Sequence, residues 1–347
     1  MILIDGLPFS THSSSTSTSH SQGVDILLAL LKNPILVSAS SSLKENPERK
    51  FSASEESTPE RSKWVYLFQR EYATVDPAFV NFVGTDEATT CVGVVIRNPK
   101  NGMTSVSHMD SPKVVETGLS QMLSLLVDGS LETEFDVHLI GGFEEVSPQH
   151  DNGGDVSESD ADLDSYSLPL CSKIVHTLWS REEKFHIRTT CVLGHNTKRD
   201  SEGNTYPIFN GFVVETATGT VIPACFDRSS RCPDEIVRRI RVSASYEDTS
   251  WNGKLLATYD TATDCFKIAP CSWTRRQYQI ALSLQRYSDS EILSICSTSP
   301  TAEGPDFVDN LRRQWNYLIE HPHWMETFPK KQPRIFTRSA DGRWKKC

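Results

Sequence analysis

No run of eighteen apolar residues occurs in the 347-residue chain, which excludes a transmembrane helix. Basic charge is scarce: 35 Lys and Arg against 45 Asp and Glu leave a formal charge of −10, the wrong balance for binding a phosphate backbone. Neither a nucleic acid nor a membrane is therefore an expected partner. G-x-x-x-x-G-K-[ST], G-x-S-x-G, H-E-x-x-H and a G-x-G-x-x-G between strand and helix are all missing, against nucleotide, serine-hydrolase, zinc-protease and dinucleotide readings. The nine cysteines form no C-x-x-C and no Cys/His spacing suited to zinc, so neither metal nor cofactor is expected. Their odd number, with no charged and apolar leader typical of secretion, points to free thiols in a reducing compartment, cytoplasmic with the nucleus open.

What is present is unevenly distributed. Between Glu144 and Ser172 there is no Lys or Arg, while eight carboxylates gather there, so one acidic insertion (144–170) carries most of the imbalance. It reads as a solvated loop. A strand at 1–9 is followed by a Ser/Thr tract and an apolar stretch at 24–37. Residues 38–63 are rich in Ser, Glu and Pro and read as a linker. The expected organisation is a Ser-rich, partly disordered leader (1–63), a catalytic body (64–333) and a basic tail (334–347).

Inside the body, 91–96 and 103–108 are strand-like and flank the turn-rich Asn98-Pro99-Lys100-Asn101-Gly102. Asp110-Ser111-Pro112 then reads as a helix start, followed by a stripe of Val115, Leu119, Met122 and Leu126. Further strands are expected at 135–140, 187–193, 208–215, 220–226, 255–259 and 266–269, and helices at 174–179, 234–242, 288–296 and 305–320. Strands and helices mix without strict alternation, which makes the class α+β.

A hairpin centred between Pro99 and Lys100 sets Cys91 opposite His108, with Cβ atoms about 4.5–5.5 Å apart. A thiol beside an imidazole is what thiolate catalysis needs, because an imidazolium lowers the thiol's pKa and a helix starting near Pro112 adds a favourable dipole. A structural Cys–His pair is the competing reading. His138, Cys191 with His195, and Trp273 read as structural, and the Leu311/Trp315/Leu318 stripe as core.

The strings TDEATTCVGVVIRNPKNGMTSVSHMD, VHLIGGF, PCSWT and STSPTAEGPDFV, in this order, resemble the protein N-terminal asparagine amidohydrolase family over about 64–322. More distantly, the separation of seventeen between Cys91 and His108 resembles the chemoreceptor glutamine deamidases and the cytotoxic-necrotizing-factor toxins. These resemblances imply a Cys–His deamidase fold, a β-sandwich of two mixed sheets flanked by helices. They imply Cys91 as nucleophile, His108 as base and acid, and Thr85, six residues before Cys91, as the group that orients the imidazole. The implied reaction turns an N-terminal Asn into Asp plus ammonia through a thioester, with arginyl-transfer machinery acting downstream. Reading a free α-ammonium requires an acidic side chain, for which Asp86, Glu87, Asp110 and Asp260 are the candidates. Asp110 as a helix cap, and Asp86 and Glu87 as solvated loop, are the competing assignments. A deamidase of internal Gln or Asn, or a non-catalytic N-terminus-binding adaptor, stays open.

Overall fold

The computed structural model of the chain describes residues 1–10, 19–52, 62–127, 133–145, 165–339 and 342–347. In chain order the strands begin with β1 (Ile2–Ile4), β2 (Leu7–Pro8), β3 (Arg49–Phe51), β4 (Trp64–Leu67), β5 (Glu71–Val75), β6 (Phe82–Thr85), β7 (Val92–Arg97) and β8 (Thr104–Met109). They continue with β9 (Glu134–Gly141), β10 (Lys184–Val192), β11 (Thr197–Arg199), β12 (Thr205–Pro207), β13 (Phe212–Glu215) and β14 (Val221–Phe226). The last are β15 (Leu256–Ala257), β16 (Tyr259–Asp260), β17 (Cys265–Ile268), β18 (Arg334–Arg338) and β19 (Trp344–Lys346). The helices are α1 (Ser19–Leu31), α2 (Pro34–Glu45), α3 (Val115–Leu123), α4 (Ser167–Ser180), α5 (Glu235–Ser245), α6 (Arg275–Leu284), α7 (Asp289–Cys296), α8 (Phe307–Glu320) and α9 (Trp324–Thr327).

Alternation in β7 decides the layering. Val92, Val94 and Ile96 point one way and pack with Ile26, Leu30, Leu119 and Ile174 of the helices, while Val95 points the other way and packs with Val83, Phe212 and Val214. One face of an eight-stranded sheet, β15-β5-β8-β7-β9-β10-β1-β2, is thus covered by α1 to α4. Its other face meets a five-stranded sheet, β3-β14-β13-β6-β4. Both sheets mix parallel and antiparallel pairs: β9 with β10 and β4 with β6 run parallel, β7 with β8 and β6 with β13 antiparallel. The class is α+β, as expected, with two mixed sheets face to face and helices outside.

Three expectations need correction. Described parts of the 1–63 leader are built into the body: β1 extends the large sheet beside β10, α1 and α2 cover it, and β3 extends the smaller sheet. Apolar periodicity in 24–37 is a helical face buried on the sheet, broken at Asn33-Pro34, where Asn33 caps α2. The tail forms β18 and β19, which join β16 and β17 in a four-stranded antiparallel sheet. The linker reading of 38–63 fails where it is described, since 38–45 complete α2 and Arg49–Phe51 form β3, and residues 167–170 of the acidic insertion begin α4; the Ser/Thr tract at 11–18 and residues 53–61 and 146–164 lie outside the described residues. Two carboxylates of that insertion are placed, Glu144 and Glu145. Glu145 accepts the backbone N–H of Tyr166 and Ser167 at 3.0 and 2.9 Å, at the start of α4.

Candidate active site

The segment 86–91 carries the chain from β6 in the smaller sheet to β7 in the larger one, so Thr85 ends a strand of one sheet and Cys91 leads into a strand of the other. The register there differs from the symmetric expectation. Gly102 takes φ +77° and Asn98 N–H donates to Met103 O at 2.9 Å, so the loop closes one residue later. Val92 pairs with Met109 and Gly93 with His108. Cys91 is therefore not opposite His108 but diagonal to it, a shift of two positions that leaves both on one face. Gly93 makes that face passable. A Cβ there would stand 2.1 Å from the Phe212 ring of the opposing sheet. Gly141, at φ +111°, lets the Cys91 backbone pass close by, since an added Cβ would stand 2.6 Å from Cys91 O.

His108 is anchored at both ends. Its carbonyl accepts Arg70 N–H at 2.8 Å, and its Nδ1 lies 2.7 Å from Thr85 Oγ1. Thr85 has one hydroxyl proton, and Leu67 O, which can only accept, sits 2.7 Å from the same oxygen. The threonine gives its proton to the carbonyl, so Nδ1 carries the imidazole's hydrogen and donates it to Oγ1. Nε2 is left as the basic nitrogen, buried and without a hydrogen-bond partner among the described residues. Cys91 and His108 line the same cavity of about 510 Å³, closed by the loop 296–307 and by side chains of α5 and α8.

Electrostatics differ from the sequence expectation. Burial pushes the Cys91 thiol well above its usual range, and Asp110 and Glu303 push it further. Burial also holds the His108 imidazole down to about 4. Both groups are thus held in their neutral forms, not as the thiolate–imidazolium pair the sequence reading expects. Desolvation outweighs any mutual stabilisation because neither group reaches water: they are 8 and 1% exposed.

The acidic candidates separate sharply. Asp86 is buried and fully engaged, accepting Tyr66 O–H at 2.6 Å, Phe226 N–H at 2.8 Å and Arg231 at 3.1 Å. Its burial raises its pKa to about 6. Glu87, at φ 60°, accepts from Arg231 at 2.6 Å and from Arg239 at 2.9 and 3.0 Å. Both line the cavity as an ionic frame for the segment leading to Cys91, not as solvated loop. Asp110 caps no helix: a short 3₁₀ turn, Pro112–Val114, precedes α3. Its carboxylate accepts Tyr246 O–H at 2.5 Å and lies 3.7 Å from Arg70, with Oδ1 buried and unpartnered. Asp260 is misplaced by the sequence reading. It sits at the β16 edge and lines a different groove, with Asp76 and Phe79.

The groups read as structural are so. His138 Nδ1 meets Thr189 Oγ1 at 3.1 Å, His195 Nδ1 meets Thr190 O at 2.9 Å, and Trp273 donates to His321 O at 2.9 Å. Of the stripe read as core, Trp315 and Leu318 are buried, whereas Leu311 is only partly buried and lines the cavity. Missed from the sequence were Arg231, Arg239, Tyr246 and Glu303, all lining the cavity. Only Glu303 carried a signal, standing inside the STSPTAEGPDFV string.

Residues 53–346 match the family model described as protein N-terminal asparagine amidohydrolase. A protein of that name from Arabidopsis thaliana is 54% identical over the full length of both chains. Proteins of the same name from Mus musculus and Homo sapiens are 31 and 30% identical over 81% of this chain and 83% of theirs. The chain belongs to the protein N-terminal asparagine amidohydrolase family.

Proposed function

We propose that the chain hydrolyses the side-chain amide of an N-terminal asparagine, giving N-terminal aspartate and ammonia, with Cys91 as nucleophile, His108 as proton shuttle and Thr85 as the group that orients the imidazole. The observation that carries this reading is the Thr85–His108 hydrogen bond, which leaves Nε2 basic and unpartnered inside the cavity that also holds Cys91. Family membership and the names of the relatives supply the substrate.

Because the resting pair is neutral, nucleophile formation and attack are coupled. The Cys91 S–H proton passes to His108 Nε2 as sulfur bonds to the carboxamide carbon. Backbone N–H groups around Thr90 and Cys91 hold the oxyanion, a role worth about 3–4 kcal/mol. The imidazolium then returns its proton to the amide nitrogen, which leaves as ammonia, and a thioester remains. Water attacks the thioester carbon with Nε2 taking its proton, and the thiolate that departs recovers that proton. The product carries an N-terminal aspartate, a terminus suited to arginyl transfer, which sets the reaction upstream of an N-degron route. The free thiols support a reducing compartment, cytoplasm or nucleus.

The test is ammonia release from an Asn-initiated peptide. Wild type turns it over and Cys91→Ala does not; undiminished turnover by the variant removes Cys91 from the mechanism. Acetylating the peptide's N-terminus abolishes turnover, whereas an internal deamidase tolerates the block.

A further inference from the structure

Four carboxylates line the Cys91 cavity. Three are matched by cations: Asp86, Glu87 and Asp306 each pair with Arg231, and Glu87 also pairs with Arg239. The fourth, Glu303, has no cation partner among the described residues. Its Oε1 accepts the Ser297 hydroxyl at 2.5 Å, and that is its one hydrogen bond. A half-buried carboxylate without a counter-ion is uncommon, and its place on a cavity wall leaves room for a cation supplied from outside.

We propose that Glu303 receives the α-ammonium of the substrate and so confines the reaction to chain ends. The inference rests on the N-terminal asparagine reading and names the group behind its selectivity. In asparagine only two carbons separate the α-nitrogen from the amide carbon, so an ammonium acceptor must stand close to the attacking sulfur. Glu303 lines the same cavity as Cys91, and its charge opposes ionisation of that thiol. The loop that carries it is tied to the nucleophile's own segment, with Thr298 Oγ1 lying 3.2 Å from Thr90 Oγ1. The two arginines that line the same cavity, Arg231 and Arg239, are already committed to Glu87, Asp86 and Asp306. An arriving ammonium would also cancel the opposition that Glu303 offers to the thiolate. A free N-terminus therefore both docks and eases ionisation of the nucleophile.

The experiment compares two peptides, one starting with Asn and one in which the α-amino group is replaced by hydrogen. Wild type is expected to favour the amino peptide in kcat/KM, and Glu303→Gln, which keeps the size and the Ser297 contact, to narrow that preference by about 10–100-fold, the scale of one hydrogen-bonded charge. In the Cys91→Ala background, peptide binding measured directly reads the same preference even where the double variant turns nothing over. A preference undiminished by Glu303→Gln overturns the proposal. Absence of ammonia release from the amino peptide with wild type is a different result, which overturns the asparagine reading itself.

Discussion

Thr85 is fully buried, yet its single proton decides which imidazole nitrogen is basic. Thr85→Val removes the acceptor for Nδ1–H and frees the ring to turn. The expected loss is about 100-fold in kcat with little change in KM, while Thr85→Ser restores most of it. Equal damage from Val and Ser would reassign Thr85 to a merely structural role. Two further residues set the pH profile. Burial raises Glu303 to about 7, with Glu87 adding to it, and lowers His108 to about 4. Ser297 donates to Glu303 and the Glu87 charge acts on it, while Cys91 and Arg231 with its partners Asp86 and Asp306 line the same cavity. A carboxyl with a raised pKa is neutral below that value and cannot pair with an ammonium, so kcat/KM should fall as pH drops through about 7. The α-amino group itself loses its proton above about 7.7–8.0, which closes the profile on the alkaline side. In Glu303→Gln the acid limb should move to lower pH, toward the limb set by Asp86, which burial places at about 6. Because His108 stays neutral down to about 4, it sets no acid limb near 6.5. An acid limb unmoved by Glu303→Gln would assign the ionisation to another group.

The central hairpin is where sequence and physics agree most closely and where they part by two residues. Strand-like runs mark β7 and β8 and alternation marks β9, and β7 and β8 are buried almost throughout because one side faces helices and the other a second sheet. The register is not in that pattern. A shift of two positions preserves every buried face, so hydrophobicity cannot tell one pairing from the other, and Gly102 with its left-handed backbone decides. The same logic explains which site residues were legible. Cys91, His108 and Thr85 sit in one continuous string, but their partners Arg231, Arg239, Tyr246 and Glu303 arrive from elements more than a hundred residues away. Asp260 failed because a strand end near the right sequence neighbours says nothing about which groove it lines. Gly93 links the two sheets directly. Gly93→Ala drives a methyl into the Phe212 ring, and the expected cost is about 1–3 kcal/mol with reduced turnover as β7 moves off His108. Phe212→Leu in the same chain should recover part of both, and strict additivity of the two substitutions in thermal unfolding would refute the contact argument.

At the scale of the whole molecule, the leader behaves as a structural layer. A low-complexity composition around 11–18 and 53–61 hides the fact that the intervening residues 19–52 hold two helices and a strand. Ile26, Leu27, Leu30 and Leu36 are each fully buried in the layer between α4 and the large sheet. Ser40 Oγ donates to Thr190 O at 3.0 Å, fastening α2 to β10, and β1 pairs with the same strand. At about 1.5–3 kcal/mol for each large side chain, these four contribute on the order of 6–12 kcal/mol. That is comparable with the entire stability of an ordinary domain, about 5–15 kcal/mol. The family model begins at residue 53, so a fragment trimmed to that boundary looks like a reasonable catalytic unit. It should not be one. A chain lacking residues 1–45 is expected to be insoluble or to melt without cooperativity, and the single substitution Leu27→Ala should cost about 2–5 kcal/mol in denaturant unfolding although it lies on the far side of the large sheet from His108. Recovery of a soluble 46–347 fragment with unchanged thermal midpoint and full ammonia release would show that the helices are an appendage and not part of the fold. Their burial against β10 and α4 argues for the opposite outcome, because removing them strips one face of the very sheet whose other face carries His108.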